Sequence, residues 1–132
     1  MHMDNSSLDP TADTLTHDII GAGIEVHRLL GPGLLESTYQ NCLARELALR
    51  GHAVDRQVAL PLHYKGVDIE AGYRIDLIVD RAVIVEIKAV ERLHPVISAQ
   101  VLTYMKLSGL QRGLICNFHV HLFKDGVKRL VL

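Results

Sequence analysis

Residues 73–90 constrain the chain most. Two apolar runs, rich in β-branched residues, flank a short polar turn at Asp80-Arg81, the pattern of two strands joined in a hairpin. Asp76 interrupts the first run, and Glu86 and Lys88 interrupt the second. The second run is apolar on both faces, as in a strand covered on both sides. Glu86 and Lys88, two residues apart, project from one face of it. Burying that acid and that amine without partners costs several kcal/mol. Either they pair with each other, or something else occupies the site, and a divalent metal fits.

The hairpin register decides where Asp76 goes. A two-residue loop at Asp80-Arg81 sets Asp76 opposite Val85 and sends Glu86 to the other face. An odd loop, such as residues 80–82, or a bulge sets Asp76 opposite Glu86, roughly 5 Å apart at Cβ. The odd register is the expectation. The alternative is a structural Glu86–Lys88 pair with Asp76 facing solvent.

With 132 residues, the chain is sized for one domain that buries about two-thirds of its unfolded surface. A net charge of −1 gives no general attraction to nucleic acid, so any such role rests on a local patch. No apolar run reaches membrane-spanning length and no signal pattern opens the chain, which leads us to expect a cytoplasmic protein with no membrane partner. Cys42 and Cys116 lack metal or redox spacing and are expected as reduced core residues.

Residues 1–13 are polar and are expected to form a disordered tail, leaving residues 14–132 as the folded domain. A first helix is predicted over residues 14–30, with Leu15, Ile19, Ile20, Ile24, His27 and Leu30 on or near one face. Gly31-Pro32-Gly33 ends it, and a second helix over residues 34–50 stops at Gly51. Glu36, in the first turn of that helix, either complements the helix dipole or turns a third carboxylate toward the sheet. From residue 53 the period becomes two. Val58, Leu60, Leu62 and Tyr64 form one side of a strand that Pro61 pushes to an edge or bulge, and Lys65-Gly66 turns into the Asp76 strand. His94-Pro95 opens a third helix that Ser108-Gly109 closes, and Gln100 and Tyr104 share a face of it. Residues 112–118 read as a buried strand. A last hairpin is expected at Asp125-Gly126, with a type I′ turn. His119 and His121 have a spacing that can hold zinc but no third ligand nearby, which favours solvent-facing or dimer-edge histidines. Lys124, Lys128 and Arg129 suit either phosphate binding or a charged, protected sheet edge.

Gly33-Leu34-Leu35-Glu36-Ser37-Thr38-Tyr39 matches the Gly-x-x-Glu-x-x-Tyr signature, and the chain from His27 onward resembles the GxxExxY family, placed among PD-(D/E)xK nuclease-like proteins. Arg74-Ile75-Asp76, Glu86-Ile87-Lys88 and Gln100-x-x-x-Tyr104 follow in a RecB-like order, with Ile75 where the superfamily's name has proline. The resemblance implies a restriction-endonuclease-like α/β core, a central mixed sheet flanked by helices in the order α-α-β-β-β-α-β-β. It implies a phosphodiesterase acting on nucleic acid, DNA ahead of RNA, with Mg²⁺ or Mn²⁺ held by Asp76, Glu86, the Ile87 carbonyl and Glu36. Lys88 would orient the water, hold the phosphate or assist deprotonation. Gln100 and Tyr104 would fix Lys88 and the nucleotide, while Tyr39 would pack against the neighbours of the second helix or hydrogen-bond into the Glu36 carboxylate shell. Two rivals stand beside this reading: a non-catalytic nucleic-acid- or protein-binding module that keeps the fold, and a homodimer or partner complex that completes the cleft.

Overall fold

The computed structural model describes residues 10–70 and 72–132, with side chains from residue 13 onward. Its elements are α1 (Pro10–Leu30), α2 (Glu36–Leu49), β1 (Val54–Ala59), β2 (Leu62–Tyr64), β3 (Val67–Ile69), β4 (Arg74–Val79), β5 (Val83–Lys88), α3 (Pro95–Ser108), β6 (Arg112–Asn117) and β7 (Val127–Val131). Five strands form one sheet in the order β1-β4-β5-β6-β7, and β2 and β3 make a separate hairpin. The β5–β6 pair is parallel and the other neighbours are antiparallel, so the sheet is mixed. α3 is the crossover between the parallel strands. This is the expected α/β arrangement of a central mixed sheet flanked by helices, consistent with a restriction-endonuclease-like fold.

Each face of the sheet has its own core. Leu15, Ile19, Ala22 and Val26 of α1 pack with Tyr39, Leu43 and Leu47 of α2 against Leu77, Val79, Val83, Val85 and Ile87. On the other face, Val101, Tyr104 and Met105 of α3 cover Ile75, Ile84 and Ile115. β5 lies between the two layers, and its residues Val83 to Ile87 are all buried. That burial is why its sequence reads apolar on both faces. Among the described residues no helix is long and apolar enough to cross a membrane.

Several expectations need correction. α1 begins at Pro10, not at residue 14, because proline suits a first turn that needs no N–H and Asp13 complements the dipole there. The rest of the expected tail, residues 1–9, lies outside the described residues. The strand around Pro61 is two strands. β1 ends at Ala59, and β2 turns at Lys65 and Gly66, both at positive φ, into the short β3 before the Asp76 strand begins. The order therefore has five strands before α3, not three.

No hairpin forms at Asp125-Gly126: residues Phe123–Gly126 are a 3₁₀ turn, and β7 pairs with β6 instead. Gly126 is needed for close approach, since a Cβ there would lie 2.0 Å from the Asn117 carbonyl oxygen. Phe123 is pulled inward, where its ring meets Phe118 at 4.8 Å and His27 at 5.9 Å.

Candidate active site

The β4–β5 hairpin adopts the odd register. Asp80 and Arg81 both have positive φ (51° and 54°), as in a type I′ turn, and the Ala82 N–H donates to the Val79 carbonyl at 3.0 Å. Yet Val79 opposes Val83, so Ala82 is supernumerary and acts as a bulge. Leu77 consequently opposes Val85, and one step further Asp76 meets Glu86.

Side chains there replace ladder hydrogen bonds. The Asp76 N–H donates to Glu86 Oε1 at 3.0 Å, and the Ile87 N–H donates to Asp76 Oδ2 at 2.9 Å. Only 5% of Glu86 is exposed, while Asp76 is half-buried. Burial, then the charge of Asp76, pushes the Glu86 carboxyl up to about 7. Lys88 acts in the opposite direction by its positive charge, but no ion pair joins it to Glu86 among the described residues. The alternative of a closed Glu86–Lys88 pair beside a solvated Asp76 is not what the chain adopts.

The sheet is distorted at this point. β1 and β4 pair on either side of Gln57 and Asp76 but not through them, and Gln57 sits at φ 49°. Strand alternation reverses there: Ile75 packs on the α3 side, whereas Leu77 and Val79 pack on the α1–α2 side. Gln57 donates from Nε2 to Gln40 Oε1 of α2 at 2.9 Å and reaches Asp76 Oδ1 at 3.5 Å. Neither glutamine was singled out from sequence. No local signal marks Gln57, since β1 reads Val-Asp-Arg-Gln-Val-Ala with three consecutive polar residues.

α3 closes the other side. Burial first, then the negative charge of Glu86, Tyr73 and Asp76, raises the Tyr104 phenol pKa, while a hydrogen bond with Gln100 opposes the shift. Gln100 is exposed and engages Tyr104, its neighbour one turn on, with no hydrogen bond to Lys88 among the described residues. Glu36 is turned toward the end of β5, but its Oε2 accepts the Ala89 N–H at 3.3 Å. It does not join the carboxylate pair, and no group of three His, Cys, Asp or Glu is poised for a metal among the described residues. The expected convergence of three acids is therefore a convergence of two, with the third held on the main chain just past Lys88. Asn117, also not foreseen, ties down that same segment through the Val90 N–H at 3.1 Å and the Val90 carbonyl at 2.9 Å.

A family model of the PD-(D/E)XK nuclease superfamily matches residues 13–130. The chain belongs to that superfamily. No curated protein and no solved structure matches it. PD-(D/E)XK nucleases act on nucleic acids and generally use divalent metals such as Mg²⁺. The donors here suit such an ion, because Asp76 and Glu86 bring two hard oxygen ligands together in a spot where burial and the charge of Asp76 raise the Glu86 pKa.

Other candidates of the PD-(D/E)XK chain have structural roles. Tyr39 stacks on Phe118 at 4.5 Å, and its hydroxyl donates to the Gly31 carbonyl at 2.5 Å and accepts the Leu34 N–H at 3.1 Å. It thus pins the loop that precedes Glu36. His27 is buried, with Nε2 2.7 Å from the Val120 carbonyl oxygen. His119 and His121 are exposed in a bend, not on a strand. Cys42 and Cys116 are free thiols, and burial pushes Cys116 up to about 12.

Proposed function

We propose that the protein is a metal-dependent phosphodiesterase that hydrolyses nucleic acid, DNA in preference to RNA, and belongs to the GxxExxY subgroup of its superfamily. The observation that carries this reading is the reciprocal bonding of Asp76 and Glu86 through main-chain N–H groups, which presets two carboxylates side by side. Asp76, Glu86 and the Ile87 carbonyl would hold the Mg²⁺ or Mn²⁺, and Glu36 would join by releasing Ala89. When bound, the ion supplies Lewis acidity for a water and for the scissile phosphate.

The protein's own side chains do the rest. Lys88, with no ion pair of its own among the described residues, holds the phosphate and orients the attacking water. Tyr104, with Gln100 on its hydroxyl, bounds the α3 side of the cleft and limits how the nucleotide sits. Gln57 and Gln40 act as positioning residues: they fix the Asp76 carboxylate against α2.

Hydrolysis of single- and double-stranded DNA and RNA with Mg²⁺ and Mn²⁺ tests this. Cleavage is expected with either metal and is expected to vanish in Asp76→Ala and Lys88→Ala. Absence of any metal-dependent cleavage removes the proposal. The docking of Glu36 on Ala89 favours one rival, a module that keeps the fold and the polar cluster without catalysis. Such a module would show no Mn²⁺ uptake by calorimetry and would bind its partner unchanged after Glu86→Gln.

A further inference from the structure

A groove of about 470 Å³ runs between α3 and the segment from β2 to the start of β4. Tyr73, Leu62, Ala99, Thr103 and Val96 line it, together with Gln100 and Tyr104 of the candidate site. The groove thus borders the candidate site through Tyr104, whose phenol feels the charge of Glu86 and Asp76. Its lining is largely apolar, and Val96 and Leu107 stay 59% and 44% exposed on the α3 side. Tyr73 meets Tyr104 in a tilted contact at 6.4 Å, which leaves 46% of it open to solvent.

Cations and aromatic rings are neighbours in the sequence beside the groove. Lys65 lies 5.3 Å from the centre of the exposed Tyr64 ring, and Arg74 follows Tyr73 directly on the exposed side of β4. A net charge of −1 gives no general attraction to the duplex backbone. Single strands offer unpaired base faces, and stacking of those faces on aromatic side chains is a large part of how they are held beside backbone-tracking cations. The space is ample for a base and its sugar.

We propose that this groove receives an unpaired nucleobase adjoining the scissile phosphate, stacked on Tyr73, and that the substrate is consequently single-stranded or splayed at the cleavage position. The inference deepens the nuclease reading and rests on it for the place of the phosphate.

The experiment uses the full chain and a single-stranded oligonucleotide carrying 2-aminopurine, with the matching duplex as control. Wild type is expected to bind the single strand more tightly and to quench the probe as it stacks. Tyr73→Ala is expected to weaken single-strand binding roughly tenfold and to abolish the quenching, while Tyr73→Phe keeps both. Ala99→Phe, which fills the groove from the exposed face of α3, is expected to act like Tyr73→Ala. Mn²⁺ uptake should be equal in all variants. Single-strand binding unaffected by Tyr73→Ala and Ala99→Phe, or a preference for duplex, overturns the inference. So does wild-type protein that binds no oligonucleotide, which would leave the groove to a protein partner. The two readings separate cleanly. Cleavage that ignores both groove variants keeps the nuclease and removes the subsite, whereas Tyr73-dependent binding without cleavage does the reverse.

Discussion

Asp80 and Ala53 hold each other twice: the Asp80 N–H donates to the Ala53 carbonyl at 2.8 Å, and Asp80 Oδ1 accepts the Ala53 N–H at 2.8 Å. This clasp fixes the turn whose extra residue sets the register, so it controls from the far end of the hairpin where Asp76 and Glu86 meet.

Asp80→Ala should therefore act on both stability and the site. It removes an acceptor for the Ala53 N–H and places alanine at φ 51°, together worth about 1–3 kcal/mol. Urea unfolding should show that loss, with faster hydrogen exchange at the Asp76 and Ile87 amides. Asp80→Asn, which tolerates the left-handed region and keeps an acceptor, should lose less. Equal losses would mean that the turn does not depend on this residue's chemistry.

His52 lies between two acids, with Nδ1 2.6 Å from Asp80 Oδ2 and Nε2 on Asp18, which Arg50 also contacts at 2.8 Å. Burial opposes the charged imidazole, but the hydrogen bonds and charges of Asp18 and Asp80 outweigh it, and the His52 pKa rises above 6.5. The hydrogen bond from His52 leads in holding Asp18 below 3.8. Asp80 is also held below that value, since its bonds to His52 and Ala53 exceed the effect of burial. The imidazole's contribution is complete below pH 6.5 and is lost as pH rises through the folded value; the acids' contribution is present above 3.8 and is lost as pH falls through theirs. The stability difference between wild type and His52→Asn, followed by melting across pH, should peak between these limits. A flat difference would rule out the network as a source of stability.

Glu86 behaves oppositely to an ordinary paired acid. Its folded pKa of about 7 lies above its usual 4.5, so its neutral form favours the fold below 4.5, and that contribution is lost as pH rises through about 7. On the proposed reading, a divalent cation would bind the ionised carboxylates. The rise in melting temperature on adding Mn²⁺ should be small in acid and grow across this window, and Glu86→Gln should flatten the growth. A pH-independent increment would place the metal elsewhere.

Arg112 of β6 is buried beneath α1, and its guanidinium nitrogens have no hydrogen bond among the described residues; Asp13 lies 3.6 Å away. A cation so poorly compensated does not support the fold by its charge. Arg112→Met should leave stability unchanged or raise it by about 1–2 kcal/mol, whereas Asp13→Asn should lower it. A marked loss in Arg112→Met, read by denaturant titration, would contradict this.

Much of the site was legible from residue order. The polar turn at Asp80-Arg81 marked the hairpin, and the apolar runs marked β5 as the central strand. Glu86 and Lys88 inside such a run had to be functional or paired. Less legible was Glu36, whose place in the first turn of α2 was read correctly but whose carboxylate prefers the free Ala89 N–H to the acid pair. Gln57 was missed because nothing local distinguishes a distorted strand residue from an ordinary exposed one. The Asp125-Gly126 turn signal misleads because this glycine serves close packing: the neighbouring Asn117 carbonyl leaves no room for a side chain.

By itself the sequence determined the elements around the site and which of them carries each charged group, because period, turn residues and apolar runs are local properties. Only the tertiary structure decided that two acids, not three, meet, and that Gln57 reaches Asp76. Those outcomes depend on which main-chain N–H groups the strands leave unpaired where they part, and that is settled by packing between distant segments.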